Sequence, residues 1–283
     1  MHTTVVDVAT LAANLDRPDW VVLDCRFDLA KPAWGEEMFT AGHIAGARYL
    51  HLERDLSSPQ TATSGRHPLP EPATLAARLG ALGIDAGVQV VVHDQGNGMY
   101  AARAWWLLRW LGHPRVALLS GGLAAWTAAG HTLTSTAATI APRVFVARPD
   151  ASRVIDVAEL QGKLAAGTIR LVDARGADRY AGQNETIDPT AGHVPGAVNH
   201  PFARNLDANG RLATADSLHD LWQTTLAGHS PDAMVAMCGS GVSACLNLLA
   251  MEHAGLGGAR LYLGSWSEWI RDPARPVAKG ETP

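Results

Sequence analysis

Three cysteines among 283 residues are too few, and odd in number, for a disulfide framework, so the chain must hold itself together by burying apolar surface. Basic residues are not in excess either. Lys and Arg number 23 against 27 Asp and Glu, a net charge of -4, which argues against nucleic acid or an anionic membrane as the main partner. No run of apolar residues approaches the ~20 that a membrane helix requires. The first stretch, "MHTTVVDVATLAANLDRPDW", has no basic segment followed by a long apolar one, so no signal peptide is expected and the cytoplasm is the expected location. There is no Cys-x-x-Cys and no His-Glu-x-x-His, hence no expected metal site, and no cofactor is expected.

What is present is a globular composition, 47% hydrophobic and 18% charged, and a single long repeat. "VVLDCR" (21–26) recurs as "RLVDAR" (170–175), and "AGHIAGA" (41–47) as "AGHVPGA" (191–197). "VVVHDQGNGMYAA" (90–102) matches "MVAMCGSGVSAC" (234–245), and "LLSGGLAAW" (118–126) matches "LYLGSWSEW" (261–269). The offsets of 149, 150, 144 and 143 residues keep one order along the chain, which implies two sibling domains rather than a solenoid. We expect domains at 1–135 and 153–283, joined by a Thr-, Ala- and Pro-rich linker at 136–152. Unbroken apolar runs alternate with helical patterns in each half, so each domain should be α/β, a parallel sheet with helices on both faces. In such folds ligands gather at the carboxyl ends of the strands.

Cys238 stands at one of those ends. It closes the apolar run 234–237 and is followed by Gly239, Ser240, Gly241, Val242 and Ser243 before a helix. Two glycines let the backbone turn tightly, and a helix beginning there aims further N–H groups at the same point. Such a loop is an anion nest, and the anion it suits is the cysteine's own sulfur. A Cys-x5-Arg phosphate loop is excluded because Ala244 occupies the arginine's place. Cys245, about two helical turns beyond, and Cys25 read as packing residues. "GNGMYA" (96–101) mimics a dinucleotide loop, but the next strand, "VALLSGG", lacks the acidic residue that a ribose would need.

With these motifs the chain resembles the rhodanese superfamily, and within it the tandem-domain sulfurtransferases of the mercaptopyruvate/thiosulfate type. The resemblance rests on "CGSGVSA", on both Gly-His motifs and on "GSWSEW", and it covers nearly the whole chain. It implies two tandem rhodanese-like domains, the first catalytically silent because Asp94 takes the cysteine's place. It implies that Cys238 receives a sulfane sulfur from 3-mercaptopyruvate and passes it, as a persulfide, to a thiol such as thioredoxin or to cyanide. The loop Gly239–Ser243 would cradle that sulfur, and Arg179 would grip the donor's anionic end. Ser240, with His67 and Asp55, would move or orient a proton. The Asp-x-Arg arginine Arg175 and the repeated His43 and His193 read as structural. Thr186 stands where the mercaptopyruvate pattern has a second arginine. Thiosulfate as donor, and a persulfide-carrying module that docks a partner with little small-molecule turnover, remain the alternatives at this level.

Overall fold

The computed structural model describes residues 1–282. They divide into two compact units. One comprises Met1–Ser58, Leu69–Asp150 and Asp207–Leu212, and the other Pro59–Pro68, Ala151–Leu206 and the chain from Ala213 onward. Pro59–Pro68 thus belongs with the second unit although it lies in the first half of the sequence. Residues 135–150 form neither helix nor strand. They run along the first unit, where Arg143 N–H donates to Gly80 O, Arg148 N–H to Leu111 O and Asp150 N–H to Trp110 O.

In the first unit the elements are β1 (Val5–Val6), α1 (Val8–Ala12), β2 (Trp20–Asp24), α2 (Trp34–Ala41) and β3 (Arg48–Tyr49). There follow α3 (Pro72–Ala81), β4 (Gln89–His93), α4 (Met99–Trp110), β5 (Val116–Leu119) and α5 (Gly122–Ala128). The strands form one parallel sheet in the order β1-β5-β4-β2-β3. The second unit has β6 (Val154–Ile155), α6 (Val157–Ala165), β7 (Arg170–Asp173), α7 (Ala177–Tyr180) and β8 (Val198–Asn199). It continues with α8 (Ala215–Leu226), β9 (Met234–Met237), α9 (Ala244–His253), β10 (Arg260–Tyr262) and α10 (Ser265–Trp269). Its sheet, also parallel, has the same order: β6-β10-β9-β7-β8.

Every residue of β4 and β9 is buried, as an interior strand of a parallel sheet requires, which is why both read as unbroken apolar runs. The helices that leave these two strands, α4 and α9, are buried along almost their whole length. Each unit also opens on an aspartate-capped helix: Asp7 accepts from Thr10 N–H and Asp156 from Glu159 N–H.

The two most regular repeats prove to be one device. Asp24 ion-pairs Arg26 at 2.7 Å, and Asp173 pairs Arg175 at 2.6 Å, both wholly buried. Each arginine then donates at 2.8 Å to the carbonyl of the glycine in its Gly-His motif, Gly42 or Gly192. Asp-x-Arg therefore ties a strand end to the turn that follows. The histidines hold the same turns: His43 Nδ1 lies 2.7 Å from Phe39 O, and His193 Nδ1 lies 2.9 Å from Tyr180 O. Removing one partner of a buried, hydrogen-bonded ion pair costs about 3–5 kcal/mol, because the other charge is stranded.

His200 is another buried group of the second unit. Its ring stacks on Trp222 with centroids 4.1 Å apart, and Nδ1 lies 2.7 Å from Thr225 Oγ1. Burial, reinforced by the charge of Arg204, lowers its pKa from 6.5 to about 4. The unfolded chain takes up this proton near pH 6.5 and the folded chain only near pH 4, so stability is lost as pH falls through that window. Burial also lowers His51, His113 and His253, in the same direction. From about pH 7.5 to pH 5, His200 alone should remove roughly 2 kcal/mol. Urea unfolding at those two pH values should show a smaller acid loss in His200→Gln than in wild type, and equal losses would contradict the assignment.

Candidate active site

Cys238 follows the last residue of β9 and is 2% exposed. Gly241 N–H donates to its Sγ at 3.1 Å. Gly241 has φ +74, and a Cβ there would lie 2.5 Å from the Leu263 carbonyl oxygen, so glycine is required both by conformation and by space. From Val242 the backbone enters helical bonding, with Cys245 N–H to Val242 O and Leu246 N–H to Ser243 O, each at 3.0 Å. The N-terminal end of α9 therefore faces the loop.

The "GSWSEW" segment fixes this loop from the other side. Trp266 and Ser267 N–H donate to the carbonyls of Cys238 and Gly239, both at 2.9 Å. Cys238 N–H in turn donates to Ser265 Oγ at 3.1 Å, and that hydroxyl donates to Tyr262 O at 2.9 Å. Ser265 is fully buried and holds φ +54, left-handed backbone that serine adopts at a cost of about 1–3 kcal/mol. In the first unit the equivalent position is Gly122, at φ +56, where no such cost arises. A glycine would suit the backbone at 265, and a serine is there, joining the cysteine's own N–H to β10.

The first unit shows what such a loop does with an anion. Asp94 Oδ1 accepts from Gly96 N–H at 2.9 Å and Gly98 N–H at 3.0 Å. Oδ2 accepts from Tyr100 N–H at 3.0 Å and Ala101 N–H at 3.3 Å. Four backbone donors converge on one carboxylate at a strand-to-helix turn, which is the nest expected from the glycine pattern.

Around Cys238 the geometry gathers some of the expected residues and adds others. His67 Nδ1 lies 2.7 Å from Ser240 Oγ, and both residues are buried. Arg179 and Arg66 reach over Gly239: a Cβ there would lie 3.2 Å from Arg66 Nη2 and 3.6 Å from Arg179 Nη2. Arg66 was not among the residues expected from sequence, and adjacency to His67 is the signal that would have found it. Asp55 belongs to the first unit, where its carboxylate accepts from His51 N–H at 2.8 Å and from Arg78 Nε at 2.9 Å. Thr186 is exposed, and the guanidinium beside Arg179 comes from Arg66 instead.

Both guanidinium groups carry buried counterions. Glu185 accepts from Arg179 Nε and Nη2 at 2.9–3.2 Å, and from the N–H groups of Ile187 and Asp188. Asp188 accepts from Arg66 Nη1 at 2.5 Å and from Arg179 Nη2 at 3.2 Å. Burial alone would raise the Glu185 pKa, but Arg179 and the two backbone donors outweigh it and hold the carboxyl below its ordinary value. Arg175 is pushed down by burial yet held above its ordinary value by Asp173 and Glu185.

The other cysteines have different surroundings. Burial, with the Asp24, Asp94 and Asp55 charges adding to it, pushes the Cys25 thiol well above its ordinary value, which makes it a poor nucleophile. Cys245, in the first turn of α9, donates from Sγ to the carbonyl of Gly241 in the preceding loop at 3.3 Å. Among the described residues no cluster of three or more His, Cys, Asp or Glu could hold a metal ion, and no helix is long and apolar enough to cross a membrane.

Ser265→Ala keeps the strained backbone but removes the acceptor of the Cys238 N–H. It should cost about 1–3 kcal/mol of stability and slow alkylation of Cys238 by iodoacetamide. An unchanged alkylation rate would show that the hydroxyl does not position the cysteine.

The model of the rhodanese-like domain matches residues 7–129 and again 156–272. The chain is 51% identical over 273 residues to a probable 3-mercaptopyruvate sulfurtransferase of Pseudomonas aeruginosa, covering 96% of each protein. It is 38% identical over 286 residues to a putative thiosulfate sulfurtransferase of Mycobacterium tuberculosis, covering 98% of this chain and 97% of the relative. Among solved structures, the 3-mercaptopyruvate sulfurtransferase from Leishmania major superposes with a TM-score of 0.85 at 28% identity, over 96% of this chain and 76% of that one. With two matched domains built on the same five-strand order, this chain belongs to the rhodanese-like family.

Proposed function

We propose that the protein is a sulfurtransferase that carries a sulfane sulfur on Cys238, with 3-mercaptopyruvate as donor. The observation that carries the reading is the setting of Cys238. It follows a buried strand and accepts the Gly241 N–H on its sulfur, and its loop continues through Gly239, over which Arg66 and Arg179 reach, to Ser240, which pairs with His67. The names of the relatives support the same chemistry.

In the first half-reaction the Cys238 thiolate attacks the sulfur of mercaptopyruvate. The S–C bond breaks, its electron pair passes to carbon, and the enolate of pyruvate leaves and takes up a proton. Arg179 and Arg66 offer N–H donors to the donor's carboxylate, for which a guanidinium's fork is well shaped. The Ser240 hydroxyl, hydrogen-bonded to His67, supplies the proton, and His67 restores it. Asp55 is paired with Arg78. The loop from Gly239 to Ser243, whose twin directs four N–H groups at Asp94, receives the outer sulfur. In the second half-reaction a thiol such as that of thioredoxin, or cyanide, attacks that sulfur and releases the Cys238 thiolate. Three reduced cysteines fit a reducing compartment, and we assign the protein to the cytoplasm.

Thiosulfate is the second reading, favoured by the name of the Mycobacterium tuberculosis relative. The loop side chains after Cys238 are neutral, which suits a dianion less well. A side-by-side assay of thiocyanate formation should give the higher kcat/KM with mercaptopyruvate. Cys238→Ser should abolish transfer from either donor while the fold persists. Arg179→Ala should cost about 2–4 kcal/mol in kcat/KM, as for a lost charge-assisted contact. A higher kcat/KM with thiosulfate, together with a neutral Arg179→Ala, would overturn the donor assignment.

A further inference from the structure

The two arginines over Gly239 do not bring two positive charges to the site. The Glu185 side chain is 1% exposed and the Asp188 side chain 2%, while those of Arg179 and Arg66 are 20% and 25% exposed. The two carboxylates are thus the deeply buried partners, and the two guanidinium groups form the outer layer. Arg175, behind them, is balanced by Asp173 at 2.6 Å and also reaches Glu185 at 3.4 Å. Three cations face three carboxylates, so the cluster sums to zero. The reacting sulfur, as a thiolate, adds one negative charge beside it.

From this arrangement we infer that Glu185 and Asp188 set the charge of the donor pocket, so that it selects donors bearing one negative charge over dianions. The inference rests on the sulfurtransferase reading above and specifies its donor class. A carboxylate monoanion can take N–H groups that Arg66 and Arg179 turn toward Gly239 without needing net positive charge, since a guanidinium has five donors and its counterion occupies only some of them. A dianion brings a second charge toward the thiolate with no uncompensated cation to offset it, in a site where burial weakens screening. The specificity element is the pair of counterions behind the arginines. Neither carboxylate needs to touch the donor.

The experiment is the ratio of kcat/KM for thiosulfate to that for mercaptopyruvate in wild type, Glu185→Gln and Asp188→Asn. Each substitution removes one negative charge and keeps the shape of the side chain, so each should raise the ratio, by about tenfold or more. Arg66→Gln should lower it. Asp188→Asn is the safer variant, because among the described residues the Asp188 carboxylate accepts from Arg66 and Arg179, whereas Glu185 also takes two backbone N–H groups. A second readout needs no turnover: protection of Cys238 from iodoacetamide by pyruvate, a monoanion, and by sulfate, a dianion. Sulfate protection should strengthen in both carboxylate variants by more than pyruvate protection does. A ratio and a protection pattern unchanged within about twofold, in variants that remain folded, would overturn the inference. Were wild type to transfer sulfur from neither donor, the functional reading would fall, and the protection pattern alone would then decide the charge claim.

Discussion

The arrangement on which the rest depends is a strand that ends, turns through glycine and enters a helix, so that successive backbone N–H groups point inward at one atom group. Such a turn is unstable when empty, because buried N–H groups without acceptors cost about 1–3 kcal/mol each. Each unit answers that need with the side chain at the strand's end. In the first, the Asp94 carboxylate takes four N–H groups and closes the nest permanently. In the second, Cys238 offers a single sulfur, which takes the Gly241 N–H. One scaffold thus holds a carboxylate by four N–H groups in one unit and a thiol sulfur by the Gly241 N–H in the other. The Asp-x-Arg pairs, the Gly-His turns and the Ser265 hydroxyl are the braces that hold these strand ends.

Much of this was legible in the chain because it is local or repeated. Asp94 and Cys238 could be matched because the repeated motifs keep one order along the chain, and the buried strands β4 and β9 could be read as apolar runs. The structural reading of Arg175, His43 and His193 followed from their presence in both halves, and their hydrogen bonds agree with it. Other pairings join distant stretches of chain, and of these only His67 with Ser240 was expected, through the family resemblance. Arg66 meets Asp188 across 122 residues, and His67 meets Ser240 across 173. These pairings depend on Pro59–Pro68 packing with the second unit, which no periodicity encodes. Ser265 escaped notice because left-handed backbone at a serine has no sequence signature. Its role emerged only beside Gly122, which has nearly the same φ. Asp55 was matched by neighbourhood alone, and its carboxylate is engaged by Arg78.

Electrostatics links the fold to the chemistry. A buried arginine is tolerated only when paired and hydrogen-bonded, so the arginines that brace the second unit carry their own carboxylates. The same requirement extends to the rim of the site, where Glu185 and Asp188 accompany Arg179 and Arg66. Guanidinium groups there supply direction and hydrogen bonds more than net charge.

The central claim is that Cys238, among three cysteines, is the one built to hold a transferred sulfur. Peptide-resolved mass spectrometry of the protein after brief exposure to mercaptopyruvate, without an acceptor, tests it most directly. The account predicts a gain of about 32 Da, one sulfur atom, on the peptide that contains Cys238, removed on adding cyanide, with fragment ions excluding Cys245. A stable adduct on Cys245 or Cys25, or no adduct on Cys238 while sulfur is being transferred, would contradict it.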